Sequence, residues 1–186
     1  MTVGSPLWYL SRGTGVVSLA LLTLVLLGGI LVRGGTRPVR LPRFVVLGLH
    51  RNVSLLALVF LAVHIATAVI DPYVTINITD AVVPFGSAYR PVWLGLGALA
   101  LDLLLALVVT SLLRARLGLR TWRAVHWAAY AVWPVALLHG LETGTDAGRL
   151  WFRLPVAACV GTVVAAAAWR LSASFPTSTP SPAGAR

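Results

Sequence analysis

Long apolar runs alternate with short polar connections along the whole chain. Five runs reach the length of about 20 helical residues that crosses a hydrocarbon core of about 30 Å. They cover roughly 14–32, 44–70, 92–113, 122–141 and 154–171. The second is over-long, which puts its start at the membrane interface. The last is short and Ala-rich. The pattern predicts an all-α integral membrane bundle of about five transmembrane helices. It divides the chain into an N-terminal segment 1–13, one membrane domain 14–171 and a tail 172–186. The tail, SASFPTSTPSPAGAR, is Ser/Pro/Ala-rich and is expected to be disordered. The first run exceeds an ordinary signal-peptide core. Only Arg12 precedes it and no small-x-small site follows it, so it reads as a retained helix. The longest connection, 71–91, carries apolar and aromatic residues and predicts a structured cap; Asp71-Pro72 and Arg90-Pro91 bound it. Asn77-Ile78-Thr79 within it has the form of a glycosylation sequon.

Composition agrees with the pattern. The 186 residues are 58% hydrophobic and 11% charged, against about 25% charged in soluble domains. The net charge of +10 comes from arginine, with no lysine present. Those arginines sit in short loops between apolar runs, so membrane topology accounts for them and nucleic acid is not an expected partner. Arg33, Arg37, Arg40 and Arg43 follow the first run, and Arg114, Arg116, Arg120 and Arg123 follow the third. The alternate loops carry fewer arginines, with Glu142 and Asp146 among them. The positive-inside rule then predicts a multi-pass cell-membrane protein with its N-terminus outside and its C-terminus cytoplasmic. Cys159 is the single cysteine, which excludes an internal disulfide and a Cys₄ cluster; it reads as a small packing residue. No C-x-x-C-H occurs, so any haem is not attached in the c-type way.

The four histidines are the chemistry-bearing residues. His50 and His64, 14 apart, lie in the second run, and His126 and His139, 13 apart, in the fourth. Intramembrane ionisable side chains are costly and point to function. At about 1.5 Å rise per residue each pair spans about 20 Å of depth, one level in each leaflet. Loop charge puts His50 and His126 at the inner level, His64 and His139 at the outer. Each level could then hold one haem between two imidazoles. Two-His sites for bare metal ions and hydrogen-bonded packing histidines are the alternatives. Fourteen residues at about 100° return to within about 40° of the starting face, whereas thirteen miss by about 140°. The second pair therefore demands local rewinding, expected at Pro134. Gly140 beside His139 would let a flat ligand approach the backbone.

Other residues extend the candidate site. Haem propionates need positive partners. Arg51 and Arg123 are candidates at the inner level and Arg90 at the outer, against ordinary headgroup anchoring; Arg12 is left open. Trp122, Trp127, Tyr130 and Trp133 either pack on a macrocycle or form an interfacial belt. Asp102, alone in GALALDLLLALVV, needs a partner or a proton. A hydrogen bond to a neighbouring helix, a proton route and a quinone contact are its readings.

At these residues the chain resembles the ferric reductase-like transmembrane domain family. That family includes ferric reductases, the membrane part of NADPH oxidases and the haem-binding membrane subunit of a periplasmic methionine sulfoxide reductase system. Its His pairs, 13 or 14 apart in two helices with one helix between, are similar to those here. WYLSRGTGVVSLALLTL and TSLLRARLGLRTWRAVHWAAY also resemble bacterial members. The resemblance covers about residues 7–171. It implies a dihaem cytochrome b, with two b-type haems relaying electrons from the cytoplasmic to the outer face. His50, His64, His126 and His139 would be the axial iron ligands. Relatives often have six spans rather than five, and many continue into a flavin- and NAD(P)H-binding module. No G-x-G-x-x-G occurs here, so a separate flavin reductase or membrane quinol is the expected donor. The protein would then be the membrane component of an oxidoreductase, with an unassigned outer-face acceptor. A quinol-linked cytochrome b is the nearest alternative; a haem-free transporter or scaffold is the alternative of another class.

Overall fold

The computed structural model describes residues 5–33, 42–72 and 74–172. Arg37, Arg40 and all but the first residue of the 172–186 tail lie outside the described residues. Within them the chain is helical, with no strand: α1 (Pro6–Arg33), α2 (Arg43–Ile70), α3 (Ile78–Val82), α4 (Pro91–Leu112), α5 (Arg114–His126), α6 (Ala129–Thr143) and α7 (Leu150–Leu171). Four of these are long and apolar enough to cross a membrane: Pro6–Val32, Phe44–Ile70, Pro91–Leu112 and Leu150–Leu171. The protein is a multi-pass membrane protein. Its outward apolar side chains, among them Leu55, Val59 and Val164, are exposed as a lipid-facing surface requires.

The run at 122–141, expected as a single span, is two helices. Its first residues finish α5, its remainder forms α6, and Trp127 and Ala128 lie between them. The cause is local. Pro134 offers no N–H to the Tyr130 carbonyl, and its ring crowds that oxygen. The turn ahead of it tightens: Ala128, Tyr130 and Ala131 each donate to the carbonyl three residues back, at 2.9, 3.1 and 2.9 Å. Three-residue turns advance the chain by about 120° per residue rather than about 100°. The overwinding carries His139 round toward the face of His126, in the sense the 13-residue spacing demands. It sits at 127–131, one turn before Pro134, rather than at the proline itself.

Helix α5 differs from the rest. It is amphipathic, with Arg114, Arg116, Arg120 and Arg123 exposed, and it bends at Gly118, whose φ of 76° a side chain would disfavour.

Packing divides the bundle into two walls. Helices α1 and α2 form an antiparallel hairpin, and α4 packs along α6. Helix α2 has its partner in α1; neither α4 nor α6 packs closely on it. Helix α1 also contacts α6 and α7, joining the walls along one side. There Leu19, Trp133, Val156 and Cys159 form a buried cluster. The Trp133 indole donates to Thr23 Oγ1 at 2.8 Å, and Thr23 Oγ1 donates to the Leu19 carbonyl at 2.9 Å. Cys159 is a buried packing residue, as expected.

The 71–91 connection is structured. Helix α3 packs on α4, and Phe85, itself at φ 66°, lies against Gly95 so closely that a Cβ there would come within 2.4 Å of its ring. Asn77 N–H donates to Asp80 at 2.9 Å, and Ser5 Oγ donates to Asp71 at 3.0 Å, fastening the connection to the start of α1. Asp102 is half-buried on α4; among the described residues no hydrogen bond from a neighbouring helix reaches it.

The Trp133–Thr23 bond yields a test. Thr23→Val leaves a buried indole N–H without its acceptor, a cost of about 1–3 kcal/mol. Chemical denaturation in detergent micelles should show that loss, and unchanged stability would show that the bond contributes nothing net.

Candidate functional site

The two walls leave a gap, and the histidines reach into it from both sides. Helix α2 presents His64, α6 presents His139, and their ring centroids are 6.3 Å apart with planes at 81°. The two helices themselves do not pack closely, so these rings bridge a space. A cavity of about 260 Å³ opens beside them, near the lower end of small-molecule sites at about 300 Å³. Gly15, His64, Gly97, Leu101, His139 and Gly140 are among its walls.

Backbone geometry sets the proton on each of these rings. His64 Nδ1 lies 2.7 Å from the Ser11 carbonyl and His139 Nδ1 lies 2.9 Å from the Trp93 carbonyl. A carbonyl only accepts, so both Nδ1 atoms carry the hydrogen and both Nε2 atoms keep a free lone pair. The Thr143 hydroxyl is a second acceptor for His139 Nδ1 at 3.2 Å. An Nδ1–H held by a backbone carbonyl is the usual support of a ligating imidazole.

The other level is built differently. His50 is carried by α2 and His126 ends α5. Both Nδ1 atoms are buried without a hydrogen-bond partner among the described residues. The Val25 carbonyl lies beside His50 but outside hydrogen-bond geometry. Trp122 stacks on His126, with centroids 4.7 Å apart and planes at 26°. The Trp122 indole donates to Ser111 Oγ at 3.2 Å, and Arg114 lies 4.8 Å over its ring. Trp122 is thus the one of the four proposed aromatics seen on a histidine. Trp133 belongs to the α1–α6–α7 core, while Trp127 and Tyr130 group with Arg170.

Glycines back three of the four histidines, and the sequence reading did not single them out. A Cβ at Gly15 would come within 3.0 Å of the His64 ring, one at Gly28 within 3.2 Å of the His50 ring, and one at Gly97 within 2.6 Å of the His139 ring. Gly29 also borders His50. Gly15 and Gly28 are 13 apart on α1, facing His64 and His50, 14 apart on the antiparallel α2. Matching spacing on adjacent runs was the available signal. Gly140 behaves otherwise: it lines the cavity, and a Cβ there would meet nothing within 4 Å.

The candidate arginines lie around this frame. Arg51 is exposed next to His50, and Arg123 is exposed one turn before His126. Arg90 is exposed and donates to the Glu142 carbonyl. Arg12, whose role the sequence left open, borders the cavity, pairs with Asp146 and lies 4.1 Å over the Trp8 ring.

Two imidazoles per level is a defined chemical constraint. Among the described residues no three His, Cys, Asp or Glu side chains converge. Two imidazoles suffice only for a metal that brings its own remaining ligands, as a porphyrin does. A metal–imidazole bond of about 2 Å on each side of a shared metal leaves the ring centroids about 6 Å apart. The 6.3 Å between His64 and His139 fits that requirement. The orphaned Nδ1 atoms and the glycine clefts fit imidazoles held for a purpose other than packing.

Comparison with known proteins agrees. The family model for the Ferric reductase like transmembrane component matches residues 14–137. No curated protein and no solved structure matches the chain.

The glycine clefts are testable. Gly97→Ala forces a methyl into the His139 ring and should cost about 1–3 kcal/mol by overpacking. Gly161→Ala, where a Cβ meets nothing, should stay within about 0.5 kcal/mol of the parent. Denaturant midpoints in micelles measure both, and equal midpoints would show that the ring has room to move.

Proposed function

Because the chain belongs to the ferric reductase-like transmembrane component family, we propose that it relays electrons across the membrane through two b-type haems. One haem is held by His50 and His126, the other by His64 and His139. The observation that carries the reading is the His64–His139 arrangement: two rings 6.3 Å apart across an unpacked gap, each with Nδ1 tied to a carbonyl and Nε2 free. Haem iron supplies one-electron exchange between ferric and ferrous states, with one electron in and one out.

The chain's own part is to bind, orient and insulate. Ser11 and Trp93 fix the tautomer and heading of two imidazoles. Gly15, Gly28 and Gly97 leave the rings room. The apolar walls of α1, α2, α4 and α6 keep water from the path. Arg51 and Arg123 offer positive charge for propionates at one level, Arg90 and Arg12 at the other. A redox partner and the surrounding lipid follow from family membership. We assign a separate flavoprotein as the donor, on the cytoplasmic side by the arginine distribution, and an acceptor on the outer face, reached from His64 and His139. The N-terminus is then outside and the C-terminus cytoplasmic.

The purified protein, supplied with haem, should give a reduced-minus-oxidised spectrum with b-type bands and two haems per chain. No such band would refute the reading. His64→Ala should lose one haem and keep the other; retention of both would remove His64 from the ligand set. Reduction should be fast with a flavin reductase and NADH. Reduction by quinol alone would move the protein to the quinol-linked class.

A further inference from the structure

The two histidine levels have different surroundings, and the difference has a redox consequence. At one level both Nδ1–H groups are engaged: His64 by the Ser11 carbonyl, His139 by the Trp93 carbonyl and the Thr143 hydroxyl. At the other, neither His50 nor His126 has an acceptor for Nδ1 among the described residues. An engaged N–H gives its ring partial imidazolate character. Such a ring is the stronger donor to a metal and favours the more oxidised, more positive state. An unengaged N–H leaves a weaker donor.

The fixed charges act in the same sense. The end of the bundle holding His64 and His139 carries Asp71, Asp80, Glu142 and Asp146 against Arg12, Arg90, Arg149 and Arg153. These balance. The end holding His50 and His126 carries Arg33, Arg51, Arg114, Arg116, Arg120 and Arg123. No carboxylate lies in the sequence before Asp71, nor between Asp102 and Glu142. Uncompensated cations disfavour an oxidised, positively charged centre nearby. By exposed surface all four histidines are half-buried within the chain.

Resting on the haem reading above, we propose that the His64/His139 site is the low-potential site and the His50/His126 site the high-potential one, with Thr143 as a positioning residue that sets the former. Thr143 acts through His139: its hydroxyl, one helical turn on, shares the Nδ1–H with the Trp93 carbonyl. It touches no reacting atom itself.

The test is a spectroelectrochemical titration of the haem-loaded full chain. Two one-electron waves are expected. Thr143→Val keeps the shape and removes the acceptor. It should shift only the lower wave, upward, by about threefold in the ferric/ferrous equilibrium, or about 28 mV at 59 mV per tenfold for one electron. Thr143→Ser, which restores a hydroxyl, should leave both waves near the parent values. This variant also serves if the valine protein does not fold, since an altered lower wave with the hydroxyl present would count against the proposal. A single wave, a shift confined to the upper wave, or no shift in Thr143→Val overturns it. Failure to bind haem at all overturns the haem reading itself and is distinguishable from these by the absence of any band.

Discussion

An imidazole placed inside a membrane has two nitrogens to satisfy and no water to do it. That constraint organises the bundle. At His64 and His139 the chain brings backbone carbonyls of α1 and α4 to one nitrogen of each ring. A helical carbonyl is ordinarily committed to its own ladder, so each of these bonds requires a helix to come very close to a ring. The glycines make such an approach possible. Gly15 lies four residues after Ser11 and Gly97 four after Trp93, each one turn along from the accepting carbonyl and on the same face. Carbonyl and cleft are therefore one device: the missing side chain admits the ring, and the turn before it holds the ring's proton.

The same constraint explains the two-wall architecture. Had α2 packed on α6 as α1 packs on α2, the four rings would have filled the seam as core residues. Instead the walls are pinned along one side by the Trp133–Thr23 bond and its apolar cluster, and held apart along the other. The broken helix contributes as well. An unbroken α-helix through 122–141 would have turned His139 about 140° away from the face of His126.

Much of this was legible in the sequence, for physical reasons. Apolar run length dictated the four long helices because lipid leaves a backbone few alternatives. The spacing of His126 and His139 exposed a mismatch, and the structure resolves it with an overwound turn. Its position at 127–131 was not legible, because a proline's effect falls on the carbonyl four residues before it and can be absorbed anywhere in that turn. The single helix expected over 122–141 misled for the same reason: hydropathy counts apolar residues and does not register a change of winding. The glycines were missed because each looks like an ordinary small residue of a membrane helix. Their meaning comes from the residue opposite, and only the antiparallel pairing of α1 with α2 supplies that. Asp102 carries no visible partner among the described residues, where a hydrogen bond to a neighbouring helix was expected.

The pairing of α1 with α2 also bears on the order of manufacture. Chains enter the membrane from the N-terminus, and early segments can associate before later ones exist. The Ser11 carbonyl and Gly15 cleft of His64, and the Gly28 cleft of His50, all lie within one hairpin that ends at residue 70. One histidine of each pair thus draws its surroundings from sequence that precedes α4 and α6. Closure of both levels waits on the helix with the overwound turn, so α6 is the wall that arrives last and seals whatever the hairpin has been prepared to hold.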